Sequence, residues 1–544
     1  MTWIRSRSVR PGLAAAVATA LGLFGVAPVL AEDAAPRGPQ LHALVGARVV
    51  VSPGTTIDAG TLIVRDGVIE AVGAEVAPPA GARVHELDGV TLYPGLIESF
   101  AAVDWPSSDE DDAAPVAGHE NPLVRPERDI VDLGADHATV EALRGAGFTT
   151  AVLVPASGLL RGESAAVNLG AGGVRANLLR SGVAQNAHPA MLDDGYPSSL
   201  MGSVALLRQT LLDADWYADA QAAFAARPSQ QRPTYDRSLE ALGAVVDGSQ
   251  TIVLESEDLL GLQRLAGLAR ELGLDALAVG SGHEWQRPEV VAALGLPLIL
   301  PLDFPDAPEV GDDGPALHVG LDALRAWQQA PSNPRVLADA GVRFTLTSHR
   351  LSAPKNLHAR VARAVEAGWS ADAALAALTV VPAELWGLSG VAGTLEAGKM
   401  ANLLEVDGDL FVDSPKIRAV WVDGRRYELA ESAPPTVEPA GTWSLELIAG
   451  DAGSLFAEVR FEGEATALGG VFIASGQEIA LRDVVVSGDT VRFAFDAAPI
   501  GLPGRAEMSL SVDGDMAKGA GTGPVGPFTI KGRRTASPDP EVAR

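Results

Sequence analysis

The 544-residue chain contains no cysteine. That absence excludes disulfides, cysteine-ligated zinc, iron–sulfur clusters, thiol nucleophiles and a lipoprotein acylation site. Histidine is scarce as well: there are nine, and no two lie closer than nine positions apart, so neither an HxH pair nor an HExxH helix can exist. Lysine does not occur before Lys355. Positive charge is in deficit throughout, with 41 Lys plus Arg against 69 Asp plus Glu and a formal net charge of −28. A surface that negative repels nucleic-acid phosphates and anionic lipid heads, so no nucleic-acid partner is expected.

What is present describes a globular protein. Apolar residues make up 47%, charged residues 20%, and there are 59 Gly and 37 Pro, which excludes a disordered acidic chain and a coiled coil. The length suggests three or four folding units at roughly 150 residues each, although a single barrel takes about 250.

The N-terminus carries Arg5, Arg7 and Arg10, an apolar stretch from Gly12 to Leu30, and Val29-Leu30-Ala31 before Glu32-Asp33. This is the pattern of a secretory signal, predicting cleavage after Ala31 and a periplasmic or secreted protein without stable membrane insertion. An uncleaved anchor is the competing reading. Between His42 and Val90, apolar and polar residues alternate, with Asp66-Gly67 as a hairpin turn. A second β stretch at Ala401–Val406 and Ile417–Arg425, again with an Asp-Gly turn, suggests one β-sandwich assembled from residues 42–92 and 389–428. Between these flanks, over 93–388, short apolar strands (Phe148–Val154, Thr251–Leu254, Ala276–Val279, Leu296–Leu302, Arg343–Leu346) alternate with helical patterns such as Leu259–Leu272 and Val361–Leu378. The expectation is an α/β fold, a TIM-type (β/α)8 barrel with chemistry at the C-terminal ends of its strands. A Pro-rich linker at 429–440, an antiparallel all-β domain at 441–534 and a solvated tail at 535–544 complete the layout.

The flanks carry a recognisable signature. Val64–Gly73, Glu86-Leu87-Asp88-Gly89 and Leu92-Tyr93-Pro94-Gly95-Leu96-Ile97-Glu98 resemble the opening of the amidohydrolase superfamily, in its imidazolonepropionase-like and dihydroorotase-like branches. Ala377-Leu378-Thr379, Pro382-Ala383, Leu385–Leu388, Gly393–Lys399 and Val422–Arg425 resemble its closing half. The resemblance implies hydrolysis of amide-type, non-peptide C–N bonds by one or two divalent metals, held by an HxH pair after strand 1, His after strands 5 and 6, and Asp after strand 8. Such a metal activates water while the Asp takes its proton.

Against that pattern this chain departs sharply. The HxH positions are Phe100 and Ala102, the strand-5 position is Glu255, strand 6 leads to His283, and the strand-8 Asp is replaced by His349. The missing lysine excludes a carbamylated-lysine bridge. Two readings remain open. In one, Glu255, His283 and His349 hold a single divalent ion, zinc foremost, with His349 or Asp303 in the catalytic step. In the other, no metal is held, and the barrel either binds a small ligand or a protein partner without catalysis or hydrolyses by acid–base chemistry alone. Arg161, His188 and Glu284 are the candidates for substrate contact, Arg161 as a clamp for a carboxylate.

Overall fold

A computed structural model describes residues 40–104, 117–308, 319–412, 414–429, 435–448, 454–465, 468–501, 505–523 and 526–536. The expected signal segment, the acidic run Asp109–Asp112, residues 430–434 of the Pro-rich linker and residues 537–544 of the tail lie outside the described residues.

The first sheet joins both ends of the barrel-bearing region. Strands β1 (Leu41–Ser52), β2 (Thr55–Arg65), β3 (Val68–Gly73), β4 (Arg83–Glu86) and β5 (Val90–Pro94) come from one flank. Leu403–Asp407, Lys416–Val422 and Arg425–Glu428 come from the other, and Leu403–Asp407 pairs antiparallel with β5. The two Asp-Gly turns close their hairpins as two-residue loops, with Arg65 opposite Val68 and Val422 opposite Arg425. Asp66 and Gly67 have φ of 49° and 85°, Asp423 and Gly424 have 50° and 72°. These left-handed pairs match the right-handed strand twist, the reason Asp-Gly is favoured there. The turns also pack on each other: a Cβ on Gly424 would come 2.7 Å from the Gly67 Cα.

The barrel sheet is β6 (Leu96–Val103), β7 (Phe148–Pro155), β8 (Leu160–Asn168), β9 (Leu178–Ala187), β10 (Thr251–Glu255), β11 (Ala276–Val279), β12 (Leu298–Pro301) and β13 (Phe344–Thr347), paired in chain order. The strands expected from the sequence within this region are present as strands. β8 departs from the uniform parallel pattern: it pairs antiparallel with both β7 and β9. Only four residues, 156–159, separate it from β7, too few for a crossover helix, so the chain turns back on itself. The reversal puts the start of β8 at the same end as the C-termini of its neighbours.

Inward residues Ile97, Phe100, Val152, Val154, Val253, Leu277, Val279 and Ile299 share one buried cluster, a packed interior as expected of this barrel. The helix Leu259–Leu272 has the bounds its periodicity predicts, opened by Asp258 accepting from the Gly261 N–H and closed by left-handed Gly273. The continuous helix expected over Val361–Leu378 is instead two, Leu357–Glu366 and Ala371–Leu378. Gly368, at φ 96°, and the Ser370 N-cap separate them.

At the C-terminus, β17 to β25 (Gly441–Ile448, Ser454–Glu462, Gly469–Ala474, Gln477–Ala480, Arg482–Ser487, Thr490–Asp496, Arg505–Asp513, Met516–Gly523, Gly526–Ala536) form one sheet, numbered after β14 to β16 of the second flank. β17 pairs with β25, so the sheet's two ends are β20 and β21, consecutive in the chain. This antiparallel meander encloses its own aromatic core, including Trp443, Phe461, Phe472, Phe493 and Phe495.

Candidate functional site

Glu255 ends β10, and His349 lies two residues past β13. Arg161 is the second residue of β8, brought to the same mouth by that strand's reversal, and His188 directly follows β9. These side chains meet. Arg161 Nη1 donates to Glu255 Oε2 at 2.7 Å, and His349 Nε2 lies 3.0 Å from Oε1. His188 Nδ1 stands 3.8 Å from Oε2. Arg350 adds a second guanidinium, 3.6 Å from Oε1, while its own N–H groups donate to the carbonyls of Ser256 and Gly280. Arg350 holds φ at 69°, a conformation costly for a residue with a Cβ.

Electrostatics follow from this packing. The side chains of Arg161 and Glu255 are only 7% and 8% exposed. Burial alone pushes the Glu255 carboxyl up, but the hydrogen bond from His349 and the charge of Arg161 outweigh it and hold the group well below the usual carboxylate range. Burial pulls Arg161 down, opposed by Glu255; a guanidinium remains charged regardless. His188 is pushed below its ordinary value by burial and then by Arg161, so it is neutral at pH 7.

Phe100 occupies the core of the arrangement. It is 1% exposed, and its ring meets the His349 ring edge-on at 4.9 Å between centroids. Ala102, the other substituted position, is exposed and does not face this cluster. The reason is a register shift in β6, where Glu98 and Ala101 sit opposite Ala151 and Leu153. The extra residue breaks the two-residue alternation that would place 98, 100 and 102 on one face. Glu98 secures the bulge by accepting from the Phe100 N–H at 3.0 Å.

The remaining candidates are placed elsewhere. His283 does not contact Glu255: its Nδ1 lies 3.1 Å from the Ser281 carbonyl. Asp303 lies against Gly282, where an added Cβ would meet its Oδ1 at 2.8 Å, and makes no contact with the Glu255 cluster. Glu284, expected to contact substrate, is fully buried and accepts from the Ser281 N–H and hydroxyl and from Asn333 Nδ2, which pins the loop after β11.

A divalent ion fits this donor set poorly. Among the described residues no three His, Asp or Glu side chains converge as ligands. Both Glu255 oxygens already accept from cationic or imidazole donors, two guanidiniums stand beside them, and the Phe100 ring lies against the His349 imidazole. Of the expected triad, Glu255 and His349 are brought together, and His283 instead meets the Ser281 carbonyl. Arg350 escaped the reading of the sequence, since nothing in the string marks a left-handed arginine; its place directly after His349 was the one available signal.

Comparison with known proteins is consistent with this architecture. Residues 313–427 match the model of the amidohydrolase family. An amidohydrolase from Thermotoga maritima is 17% identical, with 71% of this chain and 100% of that chain covered and a TM-score of 0.58. A β-aspartyl dipeptidase from Fervidobacterium islandicum is 13% identical over 72% of this chain and 97% of that chain, with a TM-score of 0.41. No curated protein matches the sequence.

Proposed function

We propose, on the premise that this chain has the amidohydrolase fold, that it is an exported protein whose barrel mouth binds a small molecule without a catalytic metal. The observation that carries this reading is the replacement of metal-ligand geometry by an ion-pair cluster. Arg161 takes Glu255 at 2.7 Å, and the Phe100 ring packs on His349 at 4.9 Å. A guanidinium satisfies the charge of the carboxylate that a dication would otherwise bind. Elemental analysis of protein purified in the presence of zinc or manganese tests it. No stoichiometric metal and an unchanged melting temperature on adding EDTA are expected. One equivalent of metal that disappears in His349→Ala overturns the reading.

A second reading, hydrolysis of a non-peptide C–N bond, is favoured by the Glu255–His349 contact of 3.0 Å. A carboxylate that accepts from Nε2–H leaves Nδ1 as the basic nitrogen, the arrangement of a general base. Chelator-resistant turnover of an amide or cyclic amide, lost in His349→Ala, would establish it in place of a binding role.

Export rests on the N-terminal charge and apolar pattern before Glu32. Among the described residues no helix is long and apolar enough to cross a membrane. N-terminal sequencing of the mature protein is expected to begin at Glu32; a start at Met1 or Thr2 in a membrane fraction would overturn it.

A further inference from the structure

The mouth of the barrel leaves buried polar side-chain atoms without hydrogen-bond partners. Arg161 is deeply buried, spends Nη1 on Glu255, and leaves its Nε–H with no partner. His188 Nδ1 is also buried and unpartnered, being 3.8 Å from Glu255 Oε2, beyond hydrogen-bond reach. Arg350 brings a further positive charge to the same carboxylate from a left-handed backbone. A buried polar atom without a partner loses its hydration with nothing in return, and native structures leave few of them. Arg161 Nε on β8 and His188 Nδ1 just past β9, beside two guanidiniums that share one buried carboxylate, form a site that a further acceptor completes when the imidazole carries its proton on Nδ1. Glu257, the other carboxylate whose charge reaches His188, is exposed, where water and salt screen it.

A second observation concerns the body of the ligand. The chain leaving His188 carries Met191, Tyr196 and Met201 at 56%, 55% and 82% exposure before and into the helix Leu200–Ala226. Three large apolar side chains open to water thus follow His188 within 14 residues along the chain, and exposed apolar groups of this kind mark binding regions.

We propose that the mouth takes a small organic oxyanion, a carboxylate or phosphate monoester with an apolar body, whose oxygens accept from Arg161 Nε and His188 Nδ1 while the body lies toward Met191 and Tyr196. This deepens the metal-free reading above and rests on it. Guanidinium suits both anions, since its planar N–H fork matches carboxylate and phosphate oxygens alike.

The test uses the full chain and calorimetric titration with phenylacetate, phenyl phosphate, 2-phenylacetamide and phenethylamine, which share an aromatic body and differ in charge. At least one anion is expected to bind, with the amide and the amine at least about tenfold weaker, or about 1.4 kcal/mol. The relative affinities of the two anions identify the carboxylate or the phosphate as the natural head group. Arg161→Gln is expected to weaken anion binding at least about tenfold, and Arg175→Gln, which removes an exposed arginine paired with Asp132, to leave it unchanged. Where Arg161→Gln does not fold, His188→Ala and Arg350→Gln report on the same site. Equal binding of the amide or the amine, anion binding indifferent to these substitutions, or no binding of any probe overturns the proposal. Metal content of the same samples keeps the two readings apart. Anion binding that depends on a chelatable metal overturns the metal-free mouth, whereas metal-free protein that ignores anions overturns only the oxyanion assignment.

Discussion

Glu98 and Ser348 join the first and last strands of the barrel: Glu98 Oε2 accepts from the Ser348 N–H at 2.8 Å and from its hydroxyl at 2.6 Å. The barrel sheet runs from β13 to β6 without a backbone ladder between those two strands, so side chains must close that seam. Glu98 Oε1 also accepts from the Thr347 hydroxyl and the Phe100 N–H. Ser99 and Thr345 add a hydroxyl pair at 2.9 Å. In a metal-dependent barrel of this kind, ligands from strands 1 and 8 share an ion; here a fully buried carboxylate links the same strands.

Replacing that carboxylate with an amide keeps the shape and turns one acceptor into a donor. Glu98→Gln is expected to leave an N–H facing other N–H or O–H groups and to cost about 1–3 kcal/mol. Urea denaturation checks it. A midpoint unchanged within error would show that Glu98 does not close the seam.

The Arg161–Glu255 pair calls for a double-mutant cycle. Breaking a buried pair by removing one partner costs about 3–5 kcal/mol, because the other charge is left uncompensated. Arg161→Met and Glu255→Gln are therefore each expected to destabilise strongly, and the combined variant less than the sum. Additive single effects would mean that the two side chains do not stabilise each other in the folded protein. The cycle also separates stability from ligand binding, since the double variant removes the guanidinium without stranding the carboxylate.

Much of this was legible in the string. Asp66-Gly67 and Asp423-Gly424 announced their hairpins because the tight turn demands left-handed φ. Placing Glu255 and His349 at strand ends was enough to bring them together, since in a barrel the strand ends converge. Where the reading stopped, long-range geometry decided. Arg161 reaches the mouth because β8 runs backwards, which depends on a short connection and not on its own apolar pattern. Ala102 turns outward because one extra residue at Ser99–Phe100 shifts the alternation. His283 is on the expected loop, yet its ring is engaged with the Ser281 carbonyl. Glu284 follows His283 in the string, and its engagement by the Asn333 and Ser281 donors, 49 and three positions away, depends on contacts that the string does not display.

Five histidines set the acid limb of stability. Burial is the leading cause holding His42, His85, His119, His188 and His358 below their ordinary 6.5. Below that pH the unfolded chain binds protons that the folded chain resists, so stability falls as pH falls. His42 and His85 reinforce this, since their rings share a contact of 3.1 Å between Nδ1 and Nε2 that two protonated rings cannot keep. Melting temperature is expected to drop between pH 7 and pH 5. Glu255 acts in a separate window: its folded value is depressed, so its contribution is intact above 4.5 and is lost as pH falls below it. His358 is the most deeply buried of the five, with Nε2 donating to the Ala146 carbonyl at 2.8 Å. His358→Gln keeps a donor and removes the titration, so its pH slope should be shallower by up to about 1.4 kcal/mol per pH unit. A flat profile from 7 to 5 would contradict the burial of these rings.

The C-terminal meander has a core built only from its own residues, from Val437 to Ile530, so its cooperativity is expected to be its own. Trp443 reports on it directly. It is the last tryptophan in the chain and fully buried. Its Nε1 donates to the Pro439 carbonyl at 2.8 Å, and the Arg534 guanidinium lies 4.6 Å from its ring centroid. β17, which carries it, pairs with both β18 and β25, so the first and last strands of the meander must both be in place to bury the ring. A fragment of residues 435–536 is therefore expected to show blue-shifted tryptophan emission and a single cooperative unfolding transition. Arg534→Ala should weaken it by removing the side chain that covers the indole and donates to the Ala440 and Glu438 carbonyls. Emission like that of free tryptophan in the isolated fragment would show that the meander needs the rest of the chain to fold.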